Sequence, residues 1–195
     1  MSENFCEGQV IKDRKFQNIT KERLKFTDCV FENCTFEDCK ITGCSFVNCR
    51  FYKCSIISLT SKNSELKSAV FQNCNLIGIH CWNKLLPAGS YAHSIDKVKD
   101  CCMKYNSFVE MPFRKFDFSG NIIQESIFEE CDLQESNFRG CRLESTQFFK
   151  CDIRRADFRD ARGYVIDIPS NKLRQAKFSF PEAVSLLNSL EIKVE

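Results

Sequence analysis

The fourteen cysteines are the residues of this sequence with the widest chemistry, since a thiolate can bind a metal ion or act as a nucleophile. Structural zinc sites favour cysteines separated by about two to four residues, in sets that converge on one point. Here one long stretch places a cysteine at every fifth position, namely Cys29, Cys34, Cys39, Cys44, Cys49 and Cys54. Such a ladder does not converge, so we interpret these cysteines as small buried apolar residues.

The two histidines are a second candidate for metal binding. His80 and His93 lie near Cys81, Cys101 and Cys102, so a metal site is one interpretation and a histidine beside a turn is the other. The sequence contains no recognisable catalytic constellation and no phosphate-binding glycine motif. It therefore predicts a protein that is not an enzyme and that needs no cofactor.

A five-residue period positions the cysteines. From Phe26 to Ile56 a large apolar residue occupies every fifth place, and a cysteine follows it three places later. A period of five fits neither a helix nor a flat strand, so the backbone must turn by the same angle after each block. The residues predicted to point inward are Phe26, Cys29, Phe31, Cys34, Phe36, Cys39, Phe46, Cys49, Phe51, Cys54, Phe128, Cys131, Leu133, Phe138, Cys141, Phe148, Cys151 and Phe158.

Each block has the order small, polar, large, polar, polar, as in the sequence CDLQE at 131–135. This order resembles the consensus of the pentapeptide-repeat family, and the resemblance covers most of residues 26–161. It implies an all-β fold, a right-handed quadrilateral parallel β-helix with four blocks in each coil. One coil cannot bury its inward side chains alone, so the coils must stack.

The domain organisation follows from where the period holds. We expect an N-terminal lead-in at 1–25, a β-helix over 26–163 that is interrupted by a loop within 82–105, and a C-terminal segment at 164–195. Pro181 favours the start of a short α-helix. The apolar stripe of that helix is Ala183, Val184, Leu186, Leu187 and Leu190. An apolar stripe at the open end of a β-helix needs a cover, so we predict a homodimer that is formed through this stripe.

The composition of the chain bears on its cellular location. The chain has 195 residues, a net charge of +2 and no apolar run of the roughly 20 residues that a membrane span needs. The N-terminus lacks the apolar region of a secretory signal, so we expect a cytoplasmic protein that does not enter a membrane. Disulfides rarely persist in that compartment.

The C-terminal segment resembles the topoisomerase-protecting branch of the pentapeptide-repeat family, nearest to the albicidin-resistance protein and then to the Qnr quinolone-resistance proteins. The resemblance implies a homodimer that resembles a DNA duplex. Such a dimer would bind DNA gyrase or topoisomerase IV and protect the enzyme from a toxin or antibiotic. A net charge of +2 departs from the acidic character of such DNA mimics, so the resemblance implies at most partial mimicry.

The candidate partner-binding residues lie in two places. The interrupting loop supplies Trp82, Lys84, Tyr91 and His93, and an acidic run supplies Glu125, Glu129, Glu130, Asp132 and Glu135. Direct binding of nucleic acid is not expected. The alternative function is a β-helical interaction scaffold with an unrelated partner, because a shared fold does not imply a shared function.

Overall fold

The computed structural model describes residues 4–86, 94–190 and 192. The chain forms two compact units, an N-terminal unit of residues 1–102 and a C-terminal unit of residues 103–195. Both units are built from short parallel strands that stack in coils, so the expected all-β parallel solenoid is confirmed.

The strands are mostly three residues long, which is the length that one five-residue block provides between two corners. The strands of the N-terminal unit are β1 Phe5–Glu7, β2 Val10–Lys12, β3 Lys15–Gln17, β4 Thr20–Glu22, β5 Lys25–Thr27, β6 Val30–Glu32, β7 Thr35–Glu37, β8 Lys40–Thr42, β9 Ser45–Val47, β10 Arg50–Tyr52, β11 Ser55–Ile57, β12 Thr60–Lys62, β13 Glu65–Lys67, β14 Ala69–Gln72, β15 Asn75–Ile77 and β16 Ile95–Lys99. They are followed by β17 Cys102–Lys104, β18 Ser107–Val109, β19 Ile122–Gln124, β20 Ile127–Glu129, β21 Arg142–Phe149, β22 Asp157–Phe158, β23 Arg162–Ile166 and β24 Lys177–Phe178.

In the N-terminal unit the strands pair with their neighbours 20 residues away. Four parallel ladders result, with the orders β1–β5–β9–β13, β2–β6–β10–β14–β16, β3–β7–β11–β15 and β4–β8–β12. The register places like residues above each other, so that Phe31 pairs with Phe51 and their rings stack at 4.9 Å. Four blocks therefore complete one coil of this unit.

The coils begin before the repeat is recognisable in the sequence. Strand β1 starts at Phe5, and its Cys6 pairs in register with Phe26 of β5. The segment that we expected to be a lead-in at 1–25 thus contributes strands β1 to β4 to the N-terminal unit.

The 20-residue register is interrupted between Phe71 and Val98, a span that overlaps the range 82–105 within which we expected a loop. Phe71 pairs with Val98, which is 27 residues later, whereas the preceding coils repeat after 20. Strands β16 and β17 occupy part of the range 82–105, and a 3₁₀ helix at Trp82–Leu85 precedes them. Strand β16 therefore continues the ladder of β14 after a longer interval.

The C-terminal unit has the more completely buried core. Phe108, Phe128 and Phe148 form one stack, with ring centroids 4.7 and 4.9 Å apart, and Phe118, Phe138 and Phe158 form a second. The predicted inward residues of this unit are all at most 2% exposed. In the N-terminal unit the predicted Phe26, Phe36 and Phe46 are half-buried, while Phe31 and Phe51 are buried.

The predicted C-terminal α-helix is wrong, because Glu182–Leu190 is a 3₁₀ helix. Val184 donates its N–H to the carbonyl of Pro181, three residues earlier. The hydroxyls of Ser185 and Ser189 donate to the carbonyls of Glu182 and Leu186, also three residues back. Hydroxyls that bond to nearby carbonyls compete with helical backbone bonds, which disfavours a regular α-helix here.

The cysteine side chains lie in the core, where twelve of the fourteen are buried and Cys6 and Cys102 are half-buried. The buried thiols donate to backbone carbonyls of the coil below, as Cys54 does to Phe31 O at 3.3 Å. Burial raises the pKa of Cys49 to about 11 and that of Cys141 to about 12. These thiols are therefore protonated at neutral pH and make poor nucleophiles.

We predict that an aromatic disulfide reagent modifies no more than two thiols rapidly in the native protein at about pH 8, because only Cys6 and Cys102 reach solvent. The measurement is the absorbance of the released thiolate, with the same protein in denaturant as the control for all fourteen cysteines. A third fast-reacting thiol in the native protein would contradict the buried ladder.

Candidate functional site

The outward surface of the ladder β18–β20–β21–β23 combines apolar side chains with carboxylates. Side chains alternate along a strand, so the residues on either side of the buried Phe128, Ile127 and Glu129, face outward. Ile127 and Phe149 are each 39% exposed and Val165 is 54% exposed. We call this surface the β20 face, and its residues are Glu110, Ile127, Glu129, Glu130, Phe149, Lys150 and Val165.

The β20 face keeps a net negative charge. Lys150 Nζ lies 3.2 Å from Glu130 Oε1 and 5.1 Å from the centroid of the Phe149 ring, so this ammonium group forms both an ion pair and a cation–π contact. Glu110 and Glu129 form no ion pair with any other residue that the structure describes. Glu129 pairs in register with Phe149, which places a free carboxylate beside an exposed aromatic ring.

The five predicted acidic residues do not share one surface. Glu129 and Glu130 lie on the β20 face, but Glu125 follows β19 and belongs to the preceding ladder. The Tyr105 hydroxyl bonds to the Glu125 carboxylate, which raises the pKa of Tyr105. The acidic run is longer than two blocks, so the chain turns two corners within it.

The last two acids of the run are paired with cations. Asp132 Oδ2 lies 3.3 Å from Arg114 Nε, and Glu135 Oε2 lies 3.8 Å from Lys115 Nζ. Exposed pairs of this kind add about 0–1 kcal/mol to stability, but they cancel the local charge. These two predicted residues therefore add little negative potential to the surface.

The later coils of the C-terminal unit also balance their charges. Arg154 reaches Asp152 at 2.6 Å and Arg159 reaches Asp157 at 2.6 Å. In both pairs the guanidinium hydrogen bonds hold the pKa of the carboxyl below its usual value. The positive charges of Arg154 and Arg159 are thus each neutralised by a carboxylate two residues earlier in the chain.

Of the loop residues expected to bind a partner, only Lys84 is exposed among those that the structure describes. Trp82 is 2% exposed and meets the Phe71 ring edge-on at 6.1 Å between centroids, so its position does not support a role in partner contact. Tyr91 and His93 lie outside the described residues.

The metal interpretation of the loop gains no support from the described residues, which hold no group of three or more potential ligands. Cys81 and Cys101 are buried, and the Cys81 thiol donates to the carbonyl of Leu59 at 3.3 Å. None of the described helices is long and apolar enough to cross a membrane.

The predicted dimer stripe is partly covered by its own unit. Ala183, Val184, Leu186 and Leu187 are half-buried, whereas Leu190 is 42% exposed. The same 3₁₀ helix is tied to β23, because the Glu182 carboxylate accepts the N–H of Gly163 at 2.6 Å. Burial beneath this helix raises the pKa of Tyr164 to about 12.

A family model identifies the five-residue blocks. The model described as "Pentapeptide repeats" matches residues 23–56 and 126–162 with 8 copies. The match covers these two stretches, which are less than half of the chain. The second stretch contains Ile127, Glu129, Glu130, Phe149 and Lys150 of the β20 face, whereas Glu110 and Val165 lie outside it.

Solved structures of pentapeptide-repeat and quinolone-resistance proteins align with the chain at low identity. A trypsin-treated form of QnrB1, a plasmid-mediated fluoroquinolone resistance protein, is 18% identical with a TM-score of 0.43, and the alignment covers 98% of this chain and 97% of QnrB1. HetL, involved in heterocyst differentiation regulation in the cyanobacterium Nostoc, is 10% identical with a TM-score of 0.34, covering 87% of both chains. These TM-scores support no conclusion about function. A search of curated proteins found no match.

The pentapeptide frame shows which residues the sequence analysis missed. Outward places in a block are normally polar, yet the chain places Ile127, Phe149 and Val165 there. A large apolar residue directly before or after a large inward residue is the signal that identifies them. The sequence analysis identified the acidic run but not the exposed apolar residues beside it.

Proposed function

We propose that this protein binds a type II topoisomerase, DNA gyrase or topoisomerase IV, and protects it from a toxin or antibiotic. The resemblance of the repeats and of the C-terminal segment to the topoisomerase-protecting branch supports the proposal. The structural observation that carries it is the β20 face, a rigid surface where the free carboxylates of Glu110 and Glu129 flank exposed apolar side chains. The DNA-binding saddle of a topoisomerase is basic, so such a face complements it.

The mimicry of DNA is local in this proposal. The whole chain carries +2, and the other predicted acids are paired with Arg114 and Lys115 or bonded to Tyr105. Long-range attraction to a basic saddle therefore comes from the β20 face rather than from the net charge. The exposed Ile127 and Phe149 add apolar contact area, which duplex DNA does not offer in that form.

The finer features of the resemblance stay predictions. They are the right-handed quadrilateral coil, the cytoplasmic location, the closer kinship to the albicidin-resistance protein than to the Qnr proteins, and a homodimer formed through the stripe from Ala183 to Leu190. A dimer would double the number of β20 faces that one assembly presents, which favours binding to a two-fold symmetric enzyme.

We predict that Glu129→Lys weakens protection of gyrase about tenfold or more, because a cation would then face the basic saddle. The measurement is drug-stabilised DNA cleavage by gyrase as a function of protein concentration. The matched control is Glu7→Lys, which makes the same charge change at the same block position of an exposed strand in the N-terminal unit and should leave protection unchanged.

Two outcomes would count against the proposal. Wild-type protein that neither protects nor binds gyrase or topoisomerase IV at about 10 µM would reject a type II topoisomerase as the partner. Equal loss of protection in Glu129→Lys and Glu7→Lys would reject the β20 face as the contact. Capture of a different protein through an intact β20 face would favour the alternative, an interaction scaffold with an unrelated partner.

A further inference from the structure

The N-terminal unit contains an apolar cavity along the inside of its coils. Its volume is about 190 Å³, and the lining is almost entirely carbon. An apolar cavity of about 150 Å³ in another protein stays dry and binds benzene or xenon, so a cavity of this size can hold a small hydrocarbon. The wall includes Phe16, Phe26, Phe36, Phe46, Ile41 and Trp82.

The cavity lies beside a ladder that has only one large apolar residue at its inward positions. The ladder β4–β8–β12 places Lys21, Ile41 and Ser61 in register at the central position. The neighbouring ladder β5–β9–β13 places Phe26, Phe46 and Leu66 at the same position of its strands. A lysine and a serine therefore occupy places where the pattern of the chain has phenylalanine or leucine, and the core is left underfilled.

The exposure of the inward rings agrees with an open interior. Phe26, Phe36 and Phe46 are half-buried although they occupy inward positions. The equivalent Phe128 and Phe138 of the C-terminal unit are 0% exposed. Space remains beside the rings of the N-terminal unit that a small molecule can fill.

The charge of the underfilled ladder indicates what kind of molecule would fill it. Its strands and corners carry Lys21, Arg23, Lys40 and Lys62 against the single acid Glu22. None of these four bases forms an ion pair with another residue in the part of the chain that the structure describes. Lys21 and Lys40 also line the cavity, yet its lining has almost no polar surface, so their stems contribute to the wall while both residues remain exposed.

We propose that this cavity binds the hydrocarbon tail of a small anionic amphiphile, a carboxylate with a chain of about six to eight carbons. The tail would lie among the phenylalanine rings, and the carboxylate would face the ammonium group of Lys21, which occupies an inward position of its strand. This site is independent of the β20 face and of its partner.

Calorimetric titration of the full chain with octanoate, octanol and octylammonium tests the site. Octanoate is expected to bind with a dissociation constant of about 1 mM or lower, octanol more weakly and octylammonium most weakly. Nuclear Overhauser effects between octanoate methylene protons and phenylalanine ring protons would locate the tail. No binding of octanoate at about 10 mM would overturn the proposal.

Two variants separate the cavity from the charge. Ile41→Phe enlarges a side chain of the cavity wall and should weaken both octanoate and octanol more than tenfold, while its thermal midpoint shows whether the coils remain folded. Lys21→Met keeps the stem and removes the ammonium, so it should weaken octanoate about two- to fivefold and leave octanol unchanged. Lys67→Met, on an exposed site of another ladder, is the matched control. Unchanged binding in folded Ile41→Phe would show that the ligand lies elsewhere.

Discussion

Replacing Phe128 with alanine is expected to lower the free energy of unfolding of the C-terminal unit by about 3–5 kcal/mol. Phe128 is 0% exposed and lies between the rings of Phe108 and Phe148, at 4.7 and 4.9 Å between centroids. Truncation would remove both stacking contacts and leave a cavity that the hydrogen-bonded coils above and below cannot close.

Hydrogen exchange of the amides in β20 measures this loss directly, because it reports local opening without assuming that both units unfold together. Denaturant titration followed by circular dichroism supplies the global value. Two controls bracket the result. Phe26→Ala removes a half-buried ring beside an existing cavity and should cost about 1–2 kcal/mol, and Ile127→Ala removes an exposed side chain and should cost about 0.5 kcal/mol.

A cost for Phe128→Ala that is no larger than the cost for Phe26→Ala would mean that the two units do not differ in packing. The difference in exposure between their inward rings would then have no energetic meaning. The underfilled interior inferred for the N-terminal unit would lose its main physical basis as well.

Replacing Gly163 with alanine is expected to lower the free energy of unfolding by about 2–4 kcal/mol. Gly163 has φ +75°, and a Cβ there would lie 2.6 Å from Glu144 Cα, a backbone atom that has no room to move aside. The strands approach closely here because the register of β21 and β23 shifts, from Arg142 with Arg162 to Thr146 with Tyr164. The Gly163 N–H bond to Glu182 would be lost with any displacement.

Gly140→Ala is the matched control for this prediction. Gly140 has φ +64°, but a Cβ there meets no heavy atom within 4 Å. Alanine should therefore cost only the left-handed backbone conformation, about 1–2 kcal/mol. Thermal unfolding of the two variants isolates the clash, and equal midpoints would show that β23 can move away from Glu144.

The five-residue period was sufficient to predict that the chain stacks in coils, because inward side chains must recur once in each block for the coils to bury them. The same five-residue period predicts that the acidic run spans separate ladders, since Glu125, Glu130 and Glu135 each occupy the last place of a block. Side chains that break the period could not be predicted this way. Trp82 is buried by a 3₁₀ helix whose path depends on tertiary packing, and the 3₁₀ geometry after Pro181 depends on serine hydroxyls.

The sequence indicated the carboxylates of the candidate site but not its exposed apolar residues. Ion pairs in this fold join residues on adjacent coils, so a sum of charges along the sequence does not give the charge of one surface. Lys150, for example, lies beside Glu130 because the two residues are 20 positions apart. Arg114 reaches Asp132 for a similar reason. The net charge of a surface on a solenoid is therefore the sum over residues that lie four blocks apart in the sequence.

The 20-residue register has a consequence for how the gene can change length. Loss or duplication of 60 nucleotides within one unit removes or adds a whole coil, and each later residue keeps its ladder and its neighbours in kind. Loss of 15 nucleotides instead moves each later block to the next ladder, so that rows such as Phe31, Phe51 and Phe71 no longer align. Natural variants in length are therefore expected in steps of one coil, apart from insertions like the one between Phe71 and Val98, after which the chain returns to the same ladder.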